Sequence, residues 1–143
     1  MSVGPRDLQE AMGRFVRAFG LHQPDQTPCG RPVPVSEAHA LAELARAGEL
    51  RQVDLVHRLR LEKSTTSRLV GQLVERGWVE RVPVPGDGRG VLVRLTSPGR
   101  DAADQLAAAR NARFAAVLDR VPVEAREAVL RALAVLTEAV DEP

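Results

Sequence analysis

The segment Pro85-Gly86-Asp87-Gly88-Arg89-Gly90 constrains this chain more than any other. Three glycines and a proline in six residues cannot continue a helix. Immediately after it, Val91, Val93 and Leu95 alternate with Leu92 and Arg94, the period of a half-buried strand. The spacing predicts a hairpin, with strands over 78–84 and 91–95 and a loop over 85–90. A phosphate-binding glycine loop would join a strand to a helix; here a strand follows and the glycine spacing does not fit. A lone two-stranded hairpin is marginally stable in water. This one must pack on helices, and Trp78, at the joint between helix and strand, is the expected anchor.

The rest of the chain reads as helix. Residues 6–19 carry Leu8, Met12, Phe15 and Phe19 on one stripe, with Pro5 at the start and Gly20 at the end. Residues 21–34 hold four prolines and read as a loop. Ser36 is expected to cap a second helix that turns Leu41, Leu44 and Ala45 inward and ends near Gly48. A short third helix over 51–59 offers Val53, Leu55, Val56 and Leu59. A fourth, Lys63 to Arg76, places Thr66, Leu69, Val70 and Leu73 inside and stops at Gly77. Ser97, as cap, and Pro98 open a long helix to about Arg120, rich in alanine, which Pro122 breaks. In the last helix Val129, Leu133, Leu136 and Val140 form a stripe. Apolar stripes at both chain ends exceed what a small monomer can cover, and imply a homodimer.

With aromatics at 3% and no tyrosine, the core must be leucine, valine and alanine. The formal net charge of +1 looks uninformative until it is located. Residues 51–100 carry ten basic and five acidic side chains, whereas 1–50 and 101–143 are net negative. The positive charge is therefore concentrated around the fourth helix and the hairpin. The outer face of that helix bears Ser64, Ser67, Arg68 and Gly71, with Thr65 and Gln72 beside it and Lys63 at its start. Short hydroxyl side chains and an arginine suit a helix lying in a DNA major groove. No apolar run reaches the roughly 20 residues of a membrane helix. The N-terminus lacks a signal-peptide layout, and the single cysteine, Cys29, excludes an internal disulfide. These features lead us to expect a cytoplasmic protein. No nucleophile–base–orienter set or metal-helix histidine pair supports an enzyme.

Helix, helix, recognition helix and arginine-bearing hairpin make a winged helix-turn-helix. In detail the chain resembles the MarR-type transcriptional regulators. The resemblance is carried by Leu50-Arg51-Gln52-Val53-Asp54-Leu55, by Leu61-Glu62-Lys63-Ser64-Thr65-Thr66-Ser67-Arg68-Leu69-Val70, and by Leu73-Val74-Glu75-Arg76-Gly77-Trp78-Val79-Glu80-Arg81. Asp87-Gly88-Arg89 resembles the family's Asp-x-Arg wing motif, and Leu95-Thr96-Ser97-Pro98-Gly99 the start of its fifth helix. The match covers roughly residues 36–100. It implies a mainly α fold: a winged helix-turn-helix with a two-stranded wing over 36–97, an N-terminal dimerisation helix and Pro-rich loop over 1–35, and a long helix plus C-terminal dimerisation helix over 98–143.

The resemblance also implies roles. Ser64, Thr65, Ser67 and Arg68 would meet the major groove, and Arg51 and Gln52 the phosphates at the third helix's start. Arg89 would enter a minor groove, with Asp87 holding it or a neighbouring arginine by an ion pair. Thr66 stands where the family usually has an apolar residue, and is assigned to the core. The partners implied are double-stranded DNA and a second copy of the chain, reading a pseudo-palindromic operator with half-sites about one helical turn apart. Repression is the family's commoner mode.

Such regulators respond to a small molecule, a metal or oxidation. His22, Asp25, Cys29, Glu37 and His39 form the one polar cluster to weigh, in or beside the Pro-rich loop. Three or four could hold zinc if the loop folds back, although the histidines that zinc-sensing relatives carry on the fifth helix have no counterpart. Cys29 could act as a redox thiol beside Arg31; the alternative is that Cys29 and the histidines are merely structural. An organic effector would find few aromatic walls: Phe15, Phe19, Trp78 and Phe114. The rival function is a winged-helix adaptor that contacts proteins without binding DNA, for which the basic middle would be superfluous.

Overall fold

A computed structural model describes residues 2–141. Helix α1 spans Pro5–Phe19, α2 Val35–Ala47, α3 Gln52–Leu59, α4 Lys63–Glu75, α5 Ser97–Asp119 and α6 Arg126–Asp141. Three strands complete the order: β1 (Glu49–Arg51) before α3, and β2 (Val79–Val84) and β3 (Asp87–Leu95) before α5. The described residues group into two compact units, one through Arg110 and one from Asn111, so α5 begins in the first and ends in the second.

The sheet is antiparallel in the order β1-β3-β2. Its third strand, β1, is not expected from the sequence, which has the third helix starting at residue 51. Leu50 pairs with Val93 and Arg51 with Leu92, so β1 widens the hairpin and shields the other side of β3. That pairing relieves the weakness of an isolated hairpin. Pro83 is accommodated because β2 is an edge strand, where a missing N–H breaks no inner ladder.

The helices of the winged region bury the residues their spacing marks. Leu41 and Leu44 from α2, Leu55 from α3, Val70 and Leu73 from α4, and Val93 from β3 are fully enclosed. In α4 all four expected inner residues, Thr66, Leu69, Val70 and Leu73, are buried. Two expectations are corrected. Ala45 is exposed, and Ala38 and Ala40 fill the inner face of α2 instead. Val53 is 56% exposed because it sits in the first turn of α3, beyond the cover of the core.

The caps also differ. Helix α2 starts at Val35 after Pro34, which leaves Ser36 inside the first turn and not at the cap. The start of α5 is capped by Thr96 instead of Ser97: the Gly99 N–H donates to Thr96 Oγ1 at 3.1 Å. The same hydroxyl donates to the Gly77 carbonyl, and the Thr96 N–H to the Trp78 carbonyl at 3.0 Å. One threonine thus ties the turn after α4 to the start of α5. Trp78 packs against the core cluster as expected. Gly99 lies directly over the Trp78 carbonyl; a Cβ there would fall 1.7 Å from that oxygen, so only glycine fits this approach.

Candidate nucleic-acid interface

Because its inner stripe is fully used by the core, α4 turns Ser64, Arg68 and Gln72 to solvent, with Thr65 and Ser67 half-buried at the margins. Lys63 is the helix's first residue and is exposed. Arg51 ends β1 and precedes the first turn of α3, where Gln52 begins the helix. Between α3 and the wing lies an open groove of about 500 Å³, bordered by Arg51, Gln52, His57, Lys63, Asp87 and Arg89. The fold thus brings five of the ten expected DNA-site and wing-support residues around one depression, while the other five lie along α4.

The wing has an unexpected form. The turn proper is only Pro85-Gly86, with Gly86 at φ +76°, and β3 already begins at Asp87. The register passes from Pro83↔Val91 to Val84↔Asp87. Gly88, Arg89 and Gly90 therefore fall outside the registered pairs, as a bulge on β3. Arg89 is carried on this excursion, not at the hairpin tip. Bulges of this kind re-aim a side chain locally. Gly90 is crowded, with Val84 Cγ2 2.6 Å from where a Cβ would stand.

Asp87 supports Arg89, but differently from the expectation. Its Oδ1 accepts the backbone N–H of Arg89 at 3.0 Å, and the guanidinium ion pair does not form. A carboxylate two residues back along the chain reaches the backbone amide more easily than the end of a long side chain.

A further arginine enters the site from β2. Arg81 Nη2 donates to the Ser67 carbonyl at 2.9 Å, and its Nε donates to Gln52 Oε1 at 3.4 Å. Sequence reasoning missed it because the residues joined are 14 and 29 positions apart. On the other face of the sheet Arg94 Nε donates to Glu80 Oε1 at 2.6 Å. That hydrogen bond, and then the charge of Glu80, raise the Arg94 pKa above its ordinary value.

The suggested effector cluster does not assemble. Glu37 is buried and holds Arg76, whose Nε donates to Oε1 at 2.8 Å and Nη2 to Oε2 at 3.4 Å. Arg76 also lies over the Trp78 ring, 5.0 Å from its centroid. The carboxylate is therefore neutralised inside the fold. His39 follows it by two positions on α2, which turns it to another face of the helix, and it is exposed. His22 and Asp25 are exposed and Cys29 is half-buried. Among the described residues no three histidines, cysteines or carboxylates converge as a metal site would need. A cavity of about 260 Å³ does lie against Trp78 and Arg76, bounded by Arg31, Val33, Gln105 and Leu106.

A family model described as MarR family matches residues 32–90, from the end of the Pro-rich loop to the bulge. An uncharacterised HTH-type transcriptional regulator of Mycobacterium leprae is 31% identical over 139 residues, covering 95% of this chain and 92% of the relative. The chain belongs to the MarR family. It is accordingly a DNA-binding transcriptional regulator with a winged-helix fold. Among solved structures of similar fold is FabT of Streptococcus pneumoniae in complex with DNA, with TM-score 0.77 and 17% identity over 95% of this chain and 96% of that one. The PcaV regulator of Streptomyces coelicolor, in complex with its natural ligand, gives TM-score 0.75 and 20% identity over 99% and 100%. Among the described residues no helix is long and apolar enough to cross a membrane.

Proposed function

We propose that this MarR-family chain is a homodimeric repressor that reads a pseudo-palindromic operator. In this reading α4 lies in the major groove, with Ser64, Thr65, Ser67, Arg68 and Gln72 toward the bases and Lys63 toward the backbone. Arg51 and Gln52 meet phosphates, and Arg89 enters the adjacent minor groove. The observation that carries the reading is the groove between α3 and the wing, where Arg51, Lys63 and Arg89 gather beside the polar face of α4. Three cations around one open depression suit an anionic backbone, and DNA affinity of this kind is dominated by phosphate neutralisation. FabT, of the same fold, is known bound to DNA.

The dimer reading rests on the chain ends. Neither α1 nor α6 has a buried residue, although Leu8, Met12 and Phe15 line one and Val129, Leu133 and Val140 the other. Such stripes are covered most simply by the same stripes of a second copy. For regulation, an organic ligand is favoured over metal or oxidation, because the polar cluster around Cys29 stays dispersed while the cavity beside Trp78 offers an aromatic wall and two guanidinium groups.

The test is a binding assay on the duplex upstream of the chain's own gene. Affinity should fall steeply with salt, and Arg89→Ala should weaken binding by at least about tenfold, in the range expected for losing one specific contact, with dimer stability unchanged. Unaltered affinity in Arg89→Ala would remove Arg89 from the interface; a flat salt dependence would remove the DNA-contact assignments as a set.

A further inference from the structure

We infer that Arg81 is a positioning residue that locks the DNA-reading helix and the start of α3 to the wing. The inference rests on α4 being the helix that reads DNA. In the sheet register Leu50, Val93 and Arg81 stand in one row across β1, β3 and β2. Directly opposed residues of antiparallel strands share a face, and Leu50 and Val93 are buried beneath the helices. Arg81 continues that row on the edge strand. Its side chain therefore rises on the helix side, where the core has run out, and its guanidinium meets the rim of α3 and α4. The neighbouring row holds Glu49, Arg94 and Glu80 on the opposite face, and there Arg94 is spent on Glu80. Two arginines of one small sheet thus have different work. One is neutralised by a carboxylate; the other bonds only to neutral oxygens and links three elements.

The acceptors define what Arg81 does. Ser67 lies in mid-helix, where its carbonyl belongs to the ladder that ends on the Gly71 N–H. The Arg81 Nη2 donates to that same oxygen at 2.9 Å. It grips the backbone of α4 at the turn carrying Ser67 and Arg68, independently of which side chains are displayed there. The Nε bond to Gln52 Oε1, at 3.4 Å, reaches the first residue of α3. The apolar stripe of α4 resists separation of the helix from the core but is non-directional, so it resists sliding and rolling less well. A directional bond from the wing supplies that missing restraint. Recognition side chains must be held to within about 0.5 Å, so a loose helix would lose discrimination between sequences before it lost affinity for DNA in general.

The experiment compares the full-length protein with Arg81→Gln and Arg81→Lys on two duplexes: one selected from a random library by the wild-type protein, and one of scrambled sequence. For Arg81→Gln we expect about a tenfold loss on the selected duplex, little change on the scrambled one, and an unchanged slope of log affinity against log salt. Lysine, which cannot reach both acceptors at once, should fall between. Hydrogen exchange without DNA should quicken at the Gly71 amide and at the start of α3, and remain unchanged in α2. In hydrogen exchange, Gln52→Ala should quicken the start of α3 as Arg81→Gln does, and add nothing there when the two are combined. An equal loss on both duplexes with a slope shallower by about one would make Arg81 a phosphate contact and overturn the inference, as would unchanged exchange at Gly71. If the wild type selects no sequence, the DNA-reading assignment of α4 fails, while the exchange measurement still decides whether Arg81 restrains the helix.

Discussion

Helix α4 and helix α6 carry similar apolar stripes and meet opposite fates. In α4 the stripe of Thr66, Leu69, Val70 and Leu73 disappears completely into the core. In α6 nothing is buried: Leu133 remains 50% exposed and Val140 74%. Periodicity reports that a face seeks cover, and says nothing of which surface supplies it. The covered helix spends its inner face within one chain and leaves Ser64, Arg68 and Gln72 exposed on the outer one. The uncovered one leaves its apolar face exposed within the chain.

The comparison can be broken at its covered end first. Leu73→Ala should cost about 2–5 kcal/mol, as expected for a buried cavity, with the dimer dissociation constant unchanged by sedimentation. A weakened dimer would mean that α4 also contributes to the interface between copies. Gly99→Ala should cost about 1–3 kcal/mol by overpacking against the Trp78 carbonyl, read by urea unfolding; wild-type stability would show that α5 can lift off without penalty.

At the uncovered end, Leu133→Glu should raise the dimer dissociation constant by at least about tenfold, roughly 1.4 kcal/mol, by sedimentation, with circular dichroism at high concentration unchanged. An unaltered dimer would move the interface away from α6. The smallest effect refines the covered end. The Thr66 hydroxyl is buried with no hydrogen-bond partner among the described residues, and Thr66→Val removes it at nearly constant volume. A gain of about 1 kcal/mol is expected from relieving that unsatisfied group, with DNA affinity untouched; a loss would reveal a bond that the hydroxyl makes in solution.

The same contrast separates what could be read in the sequence from what could not. Helix positions and the inner face of α4 were legible because local spacing decides them. The third strand was not, since Glu49-Leu50-Arg51 is too short to show alternation and becomes a strand only by meeting Leu92, Val93 and Arg94. The basic residues proposed for the interface were named by type and motif, whereas the bonds they and their neighbours make in the fold were hidden. Asp87 serves a backbone amide, Arg81 serves the Ser67 carbonyl, and Glu37 is taken by Arg76, 39 positions away. Charge in a sequence states what a side chain can do; only the fold states whom it meets. Of the residues weighed for zinc, the one buried carboxylate, Glu37, is already engaged by Arg76.

The excursion of Gly88, Arg89 and Gly90 also bears on how such a protein can change over generations. Because these residues stand outside the strand ladder, one can be gained or lost there without shifting Val79 to Pro83 against their partners. The register that buries Val93 would be preserved while the cation moved nearer or farther. Selection could retune the reach of the wing at little risk to folding.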